Sequence, residues 1–289
     1  ELNLPDSINR LWDERLSSLT ERNGLTWQSL ELAATLGLRV EPSEWKEACK
    51  AAGLDYDPNT LVQLEQGELI DNQGAGGWSF RHVLLRDFLS AHATRSGRST
   101  QWHALCAQSL QSLTPQSHER IGLHWLESGR SKRAAEHLEA AALEYSEKTD
   151  YRAMKRVLMR QARALRRSGF KIDSEEWQRM ANRWQHSQRA SGHIPLALRQ
   201  ARLSVQRSRK ANLKEALANS LLEYSMGLWN TGERQSSIEM GQEACAVALK
   251  NGDLKLHAIC NVRLGTKLAQ LSRHDMAESC LKAAMVFCE

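Results

Sequence analysis

The sequence predicts a mainly α-helical chain in two parts: a compact helical module closed by a small β-hairpin, then a run of antiparallel helix pairs. Three observations carry this. Ala, Leu, Arg, Glu and Gln are abundant while only five prolines occur in 289 residues, a composition that favours helix. The hydrophobic spacing is helical throughout except for a short stretch around residues 69–81, where it shortens to that of strands. Small residues then recur at fixed offsets from a series of turns.

A hydrophobic fraction of 41% with 25% charged residues is that of a soluble chain, and the length suits two packed units. Glu1 to Arg15 is charged and amphipathic, unlike a signal peptide, and no run approaches the roughly 20 apolar residues of a bilayer crossing. A soluble, cytoplasmic protein without membrane contact is expected. The six cysteines (Cys49, Cys106, Cys245, Cys260, Cys280, Cys288) form no Cys-x-x-Cys pair, so packed thiols are expected in place of zinc ligands or disulfides.

At the start, Leu4-Pro5-Asp6-Ser7 precedes Ile8, Leu11, Trp12, Leu16 and Leu19 at helical spacing. This reads as a lone helix cut from something longer. Three short helical patterns follow, Leu25 to Leu36, Pro42 to Ala52 and Pro58 to Gln66, each stopped by a glycine (Gly37, Gly53, Gly67) suited to a left-handed cap. Leu69-Ile70-Asp71 and Trp78-Ser79-Phe80-Arg81 then read as two strands around the Gly74-Ala75-Gly76-Gly77 turn. Three helices closed by such a hairpin make a winged-helix domain over residues 23–96. Its last helix carries Glu65 and Glu68 nearby and no Lys or Arg, a surface that repels duplex phosphates.

Leu30-Glu31-Leu32-Ala33-Ala34-Thr35-Leu36-Gly37, the helix leading to Leu69-Ile70, and above all Phe80-Arg81-His82-Val83-Leu84-Leu85-Arg86 resemble the segment after the P-loop core in STAND-type signalling ATPases. In that family the order is ATPase core, lid helices, winged helix and helical-repeat sensor. The resemblance implies a lid-type helix remnant at 1–22, a winged helix that packs on an upstream nucleotide-binding domain holding ATP or ADP, and a repeat sensor at 97–289. It also implies that His82 approaches the nucleotide's phosphates; the alternative is a histidine packed under the wing. The chain departs from the family in having no Gly-x-x-x-x-Gly-Lys-Ser/Thr loop, the cradle that phosphate binding needs. A non-enzymatic segment with no cofactor of its own is therefore expected.

After the polar stretch Thr94 to Thr100 the chain is helix upon helix. Aligned on turns at Gly129, Gly192, Gly232 and Ser272, the positions seven before the turn hold Gly122, Gln185, Ser225 and Gly265, and those four before hold Trp125, Gln188, Leu228 and Leu268. Five after come Ala134, Ala197, Ser237 and Ala277; twelve after come Ala141, Ser204, Ala244 and Ala284. Small residues at these offsets let two antiparallel helices cross closely, the tetratricopeptide pattern, and predict an α-α superhelix. The last three turns are 40 residues apart. The longer step from Gly129 to Gly192 predicts an additional helix, Asp150 to Arg167, and a local kink, with Gln185 and Gln188 making the second pair the weakest match. Such arrays bind a protein or peptide partner in their groove.

Charge is uneven. Residues 152–214 hold seventeen Lys or Arg against three acids, a balance of +14 in a chain of +5 overall, which leaves −9 for the flanks. Arg152, Arg156, Arg160, Arg163 and Arg167 form a ridge opposite the apolar stripe of their helix. It is either an internally paired face, a contact for a partner's acidic patch, or a site for nucleic-acid phosphates; the last would make the chain a repeat adaptor or transcriptional regulator binding nucleic acid. Trp177 and Trp184 read as core. His103 with Cys106, and His118 with His124, lack the third ligand or orienting carboxylate that metal or nucleophile chemistry needs.

Overall fold

The computed structural model describes residues 10–17, 27–56, 59–72 and 77–285. The helix start at Leu4 to Ile8, Leu19, Leu25, Pro58, the Gly74–Gly76 turn and the Cys288-Glu289 end lie outside the described residues. The chain is mainly α-helical, and it divides into two compact units, Glu1–Leu138 and Glu139–Glu289.

The first unit comprises α1 (residues 10–17), α2 (Trp27–Leu36), β1 (Arg39–Val40), α3 (Pro42–Ala51), α4 (Asn59–Gln66), β2 (Ile70–Asn72), β3 (Trp78–Phe80), α5 (Val83–Arg95), α6 (Ser99–Leu113), α7 (His118–Glu127) and the start of α8 (Ser131–Glu147). The strands form an antiparallel sheet of order β1-β3-β2, with Ile70 opposite Phe80 and Val40 opposite Trp78. β2 and β3 fall where the spacing predicts them. β1 is additional, because two residues cannot display the alternation by which a strand is read. Gly77 has φ of 92°, and a Cβ there would stand 2.5 Å from the Val40 carbonyl oxygen, so only glycine lets β3 enter beside β1.

Aromatic rings fill the space behind the sheet: Trp45 meets Trp78 edge-on at 5.4 Å, Trp78 meets Phe80 at 5.0 Å, and the Trp45 indole donates to the Ser29 carbonyl at 2.7 Å. Two buried carboxylates tie the helices together. Glu31 of α2 accepts from Arg98 (2.9 and 2.7 Å) and from the Trp102 indole (2.7 Å), and pairs with His92 at 2.6 Å. Glu44 of α3 takes the Arg120 fork of α7 at 2.9 and 2.8 Å. Because α6 packs on α2 and α3, the helix that follows residue 96 belongs to this compact unit.

In the second unit α9 (Tyr151–Arg167), α11 (Ile194–Lys210), α12 (Lys214–Asn230), α13 (Arg234–Lys250) and α14 (Leu254–Gln270) are each 17 residues long, with α10 (Glu175–Ala190) and α15 (His274–Met285) somewhat shorter. Three-residue turns join them from α10 onward, and each helix from α9 packs on the next. These are tetratricopeptide-like hairpins. The additional helix stands where the sequence places it, as α9; this helix with its turn, together with the longer connector 168–174 between α9 and α10, makes the long step from Gly129 to Gly192.

Every residue at the four aligned offsets is buried. A Cβ on Gly122 would lie 2.8 Å from Leu138 Cγ, and one on Gly265 would lie 3.2 Å from the Ala277 carbonyl oxygen. Where serines replace glycine and alanine, Ser225 and Ser237 each donate to the other's carbonyl, at 2.6 and 2.7 Å. The hydroxyls thus meet their hydrogen-bonding need inside the crossing.

Candidate functional site

His82 sits immediately before α5, exposed, in extended backbone, with its ring 5.8 Å from that of Trp12. On α9 the residues Met154, Val157, Leu158 and Leu165 are buried as the spacing predicts. Arg152, Arg156, Arg163 and Arg167 are exposed and Arg160 is half-buried; Arg156, Arg160, Arg163 and Arg167 all have interactions within the chain. Trp177 and Trp184 are half-buried. His103 lies against His124 (Nδ1 to Nδ1, 3.0 Å) and His118 against His137 (3.1 Å). Among the described residues no group of three or more His, Cys, Asp or Glu could hold a metal ion, and no helix is long and apolar enough to cross a membrane.

The departure from the repeat pattern at Gln185 is where a cavity of about 400 Å³ opens, over α10 and between α9 and α11. Its walls are Leu158 and Met159 of α9, Met180 and Trp184 of α10, and Leu203 of α11. Gln185 stands where the other hairpins have glycine or serine, and its side chain is too long for the crossing. Ser204 answers it by accepting from the Gln185 amide at 2.6 Å. The side-chain oxygens Oε1 of Gln185 and of Gln200 beside it are buried with no hydrogen-bond partner, an arrangement that costs roughly 1–3 kcal/mol per group. Arg166 and Arg207 complete the lining, which includes no carboxylate. Sequence reading flags Gln185 only as a weak match; the signal was the polar residue at a position that should be small.

A larger cavity, about 800 Å³, lies at the turns around Asn212 and Gly252. Its lining mixes Arg209, Lys214 and Lys250 with Glu215 and Asp253, which favours neither sign of charge.

A ladder of ion pairs links alternate helices, α8 to α10, α10 to α12 and α11 to α13. Arg179 and Arg183 reach Glu139 at 3.2 and 2.9 Å, Arg189 and His186 reach Glu223 at 3.4 and 3.5 Å, and between α11 and α13 Arg209 reaches Glu243 at 2.6 Å. Burial pushes the Glu223 carboxyl up, but His186 and Arg189 outweigh it and hold the group below the usual carboxylate range. Lys267 of α14 is 4% exposed and donates to Ser225 and Ser237 at 2.6 and 3.0 Å. Arg179, Arg183, Arg189 and Arg209 of the basic middle are thus paired with acids from the flanking sequence.

No protein-family model matches the sequence, and no curated protein matches it. Solved structures similar to this chain include BtubC from P. vanneervenii, at 11% identity over 70% of this chain and 84% of that one, with a TM-score of 0.48. A Signal Transduction ATPase with Numerous Domains (STAND) carrying a tetratricopeptide repeat sensor, from Pyrococcus horikoshii, is 14% identical over 90% of this chain, which spans 50% of that protein, with a TM-score of 0.41. A Podosopora anserina kinesin light chain with nearly identical tetratricopeptide-like repeats is 14% identical over 69% of this chain and 91% of its own, with a TM-score of 0.36. Each is a likeness of helical arrangement; none bears on what this chain binds.

Proposed function

We propose that the chain is a non-catalytic regulatory and sensing segment of a STAND-type signal-transduction ATPase. In this reading residues 23–96 are a winged helix that relays state to an upstream nucleotide-binding domain, and the helix pairs dock a protein partner. The observation that carries it is the order helix, strand, helix, helix, strand, strand, with sheet order β1-β3-β2, continuing directly into hairpins whose crossings are built from small residues. Small residues at the crossings build the stack and leave the outward faces of the hairpins to make contacts. The exposed position of His82 at the start of α5 is compatible with reaching a nucleotide held by a neighbouring domain.

The purified 289-residue chain should unfold cooperatively and show no ATP turnover. Hydrolysis that follows the chain through successive purification steps would overturn the reading.

A further inference from the structure

We propose that the cavity over α10 is a binding site for a small organic anion: a molecule with an apolar body and an acidic group at one end. Three features of the cavity specify these parts. Its volume of about 400 Å³ lies within the range of roughly 300–1,000 Å³ found for small-molecule sites. Leu158, Met159, Met180, Trp184 and Leu203 offer an apolar bed, and Met159 is 57% exposed, a large apolar surface that a ligand would cover. Arg166 and Arg207, with no carboxylate in the lining, set a positive field at the edge of that bed, which selects an anion.

The site also stands where the repeat pattern fails. Regular hairpins close this crossing with glycine or serine, whereas here Gln185, 2% exposed, fills it and is held by Ser204, which accepts from its amide. The longer side chain stands in the lining, under the apolar bed.

The proposal does not rest on the regulatory reading, since ligand capture by this chain and ATP turnover are measured separately. The test is calorimetric titration of the full chain with indole-3-propionate, 3-(4-hydroxyphenyl)propionate and 10-hydroxydecanoate, each beside its neutral primary amide. At least one acid should bind saturably, its amide at least tenfold more weakly. Replacing both exposed arginines (R166A/R207A) should bring the acid down to the level of its amide. Filling the bed with Ala181→Phe should abolish binding of both; Ala162→Phe plugs it from α9 if the first variant fails to fold. Absence of saturable binding by all three acids, equal binding of acid and amide, or binding that survives in a folded plugged variant overturns the proposal. Binding only when the same group is the last residue of a peptide also overturns it, and gives the cavity to a protein partner.

Discussion

Glu31 shows how much one side chain decides in the first unit. Burial alone pushes its carboxyl up, yet the donors of Arg98, Trp102 and His92 outweigh burial and hold it below the usual range. Glu31→Gln leaves the partly exposed Arg98 charge facing a neutral amide, and losing charged hydrogen bonds of this kind costs about 1.5–3 kcal/mol, which urea titration would measure. Because the folded value is depressed, the stabilisation is present above the unfolded value of 4.5 and is lost as pH falls through the folded one. In the second unit Lys267 works in the opposite sense. Burial, then the charges of Arg189 and Arg263, push its amine from 10.5 down to about 8. Between those values the unfolded chain binds a proton that the folded chain does not, so stability rises with pH across the window. Replacing it (Lys267→Met) should flatten that rise, which amounts to ~3 kcal/mol, as urea titrations at pH 7.5 and 10 would show.

The helix pairs are governed by crossings, and crossings are governed by what the small residue touches. Alanine is a better helix former than glycine by about 1 kcal/mol, so Gly122→Ala would stabilise an isolated α7. Here its Cβ would lie 2.8 Å from the buried Leu138 Cγ and 3.2 Å from the Leu138 backbone nitrogen, and overpacking of this kind costs about 1–3 kcal/mol. Packing should win, and G122A should lower the melting temperature. The companion variant L138A removes the side chain it strikes, so in a double-mutant cycle G122A should be less harmful in that background. Additive losses would mean that the clash is not what requires glycine there.

Over the full chain, folding pairs charges that the sequence keeps apart. The +14 of residues 152–214 reads as a cationic surface in one dimension. Folded, Arg179, Arg183, Arg189 and Arg209 are paired with Glu139, Glu223 and Glu243, and a paired guanidinium has little left for phosphate. A 20-nucleotide single strand at physiological salt should therefore bind no more tightly than the roughly 10⁻⁴–10⁻⁶ M of non-specific association, and reversing Arg156, Arg160 and Arg163 to Glu should change this little. Tight, steeply salt-dependent binding in fluorescence anisotropy, abolished by the reversal, would restore the nucleic-acid reading.

The helices were legible because helical spacing is a local property: the turns at Gly192, Gly232 and Ser272 and the apolar stripe of α9 can be read within a few residues of themselves. The sixteen crossing positions were legible for a related reason, since a repeated contact leaves a repeated sequence. β1 was not, because two residues hold no pattern, and neither were the Glu31 and Glu44 pairs, whose partners lie 61 to 76 residues away. The cavity was half visible. Sequence marks Gln185 as out of place, but only folding brings α9, α10 and α11 around it and shows an apolar bed, two arginines and unpartnered carbonyls in one place. Periodicity and small residues fix the rods and how closely they cross; which charges neutralise each other, and where a gap remains between the rods, depends on contacts made across distances that no local pattern records.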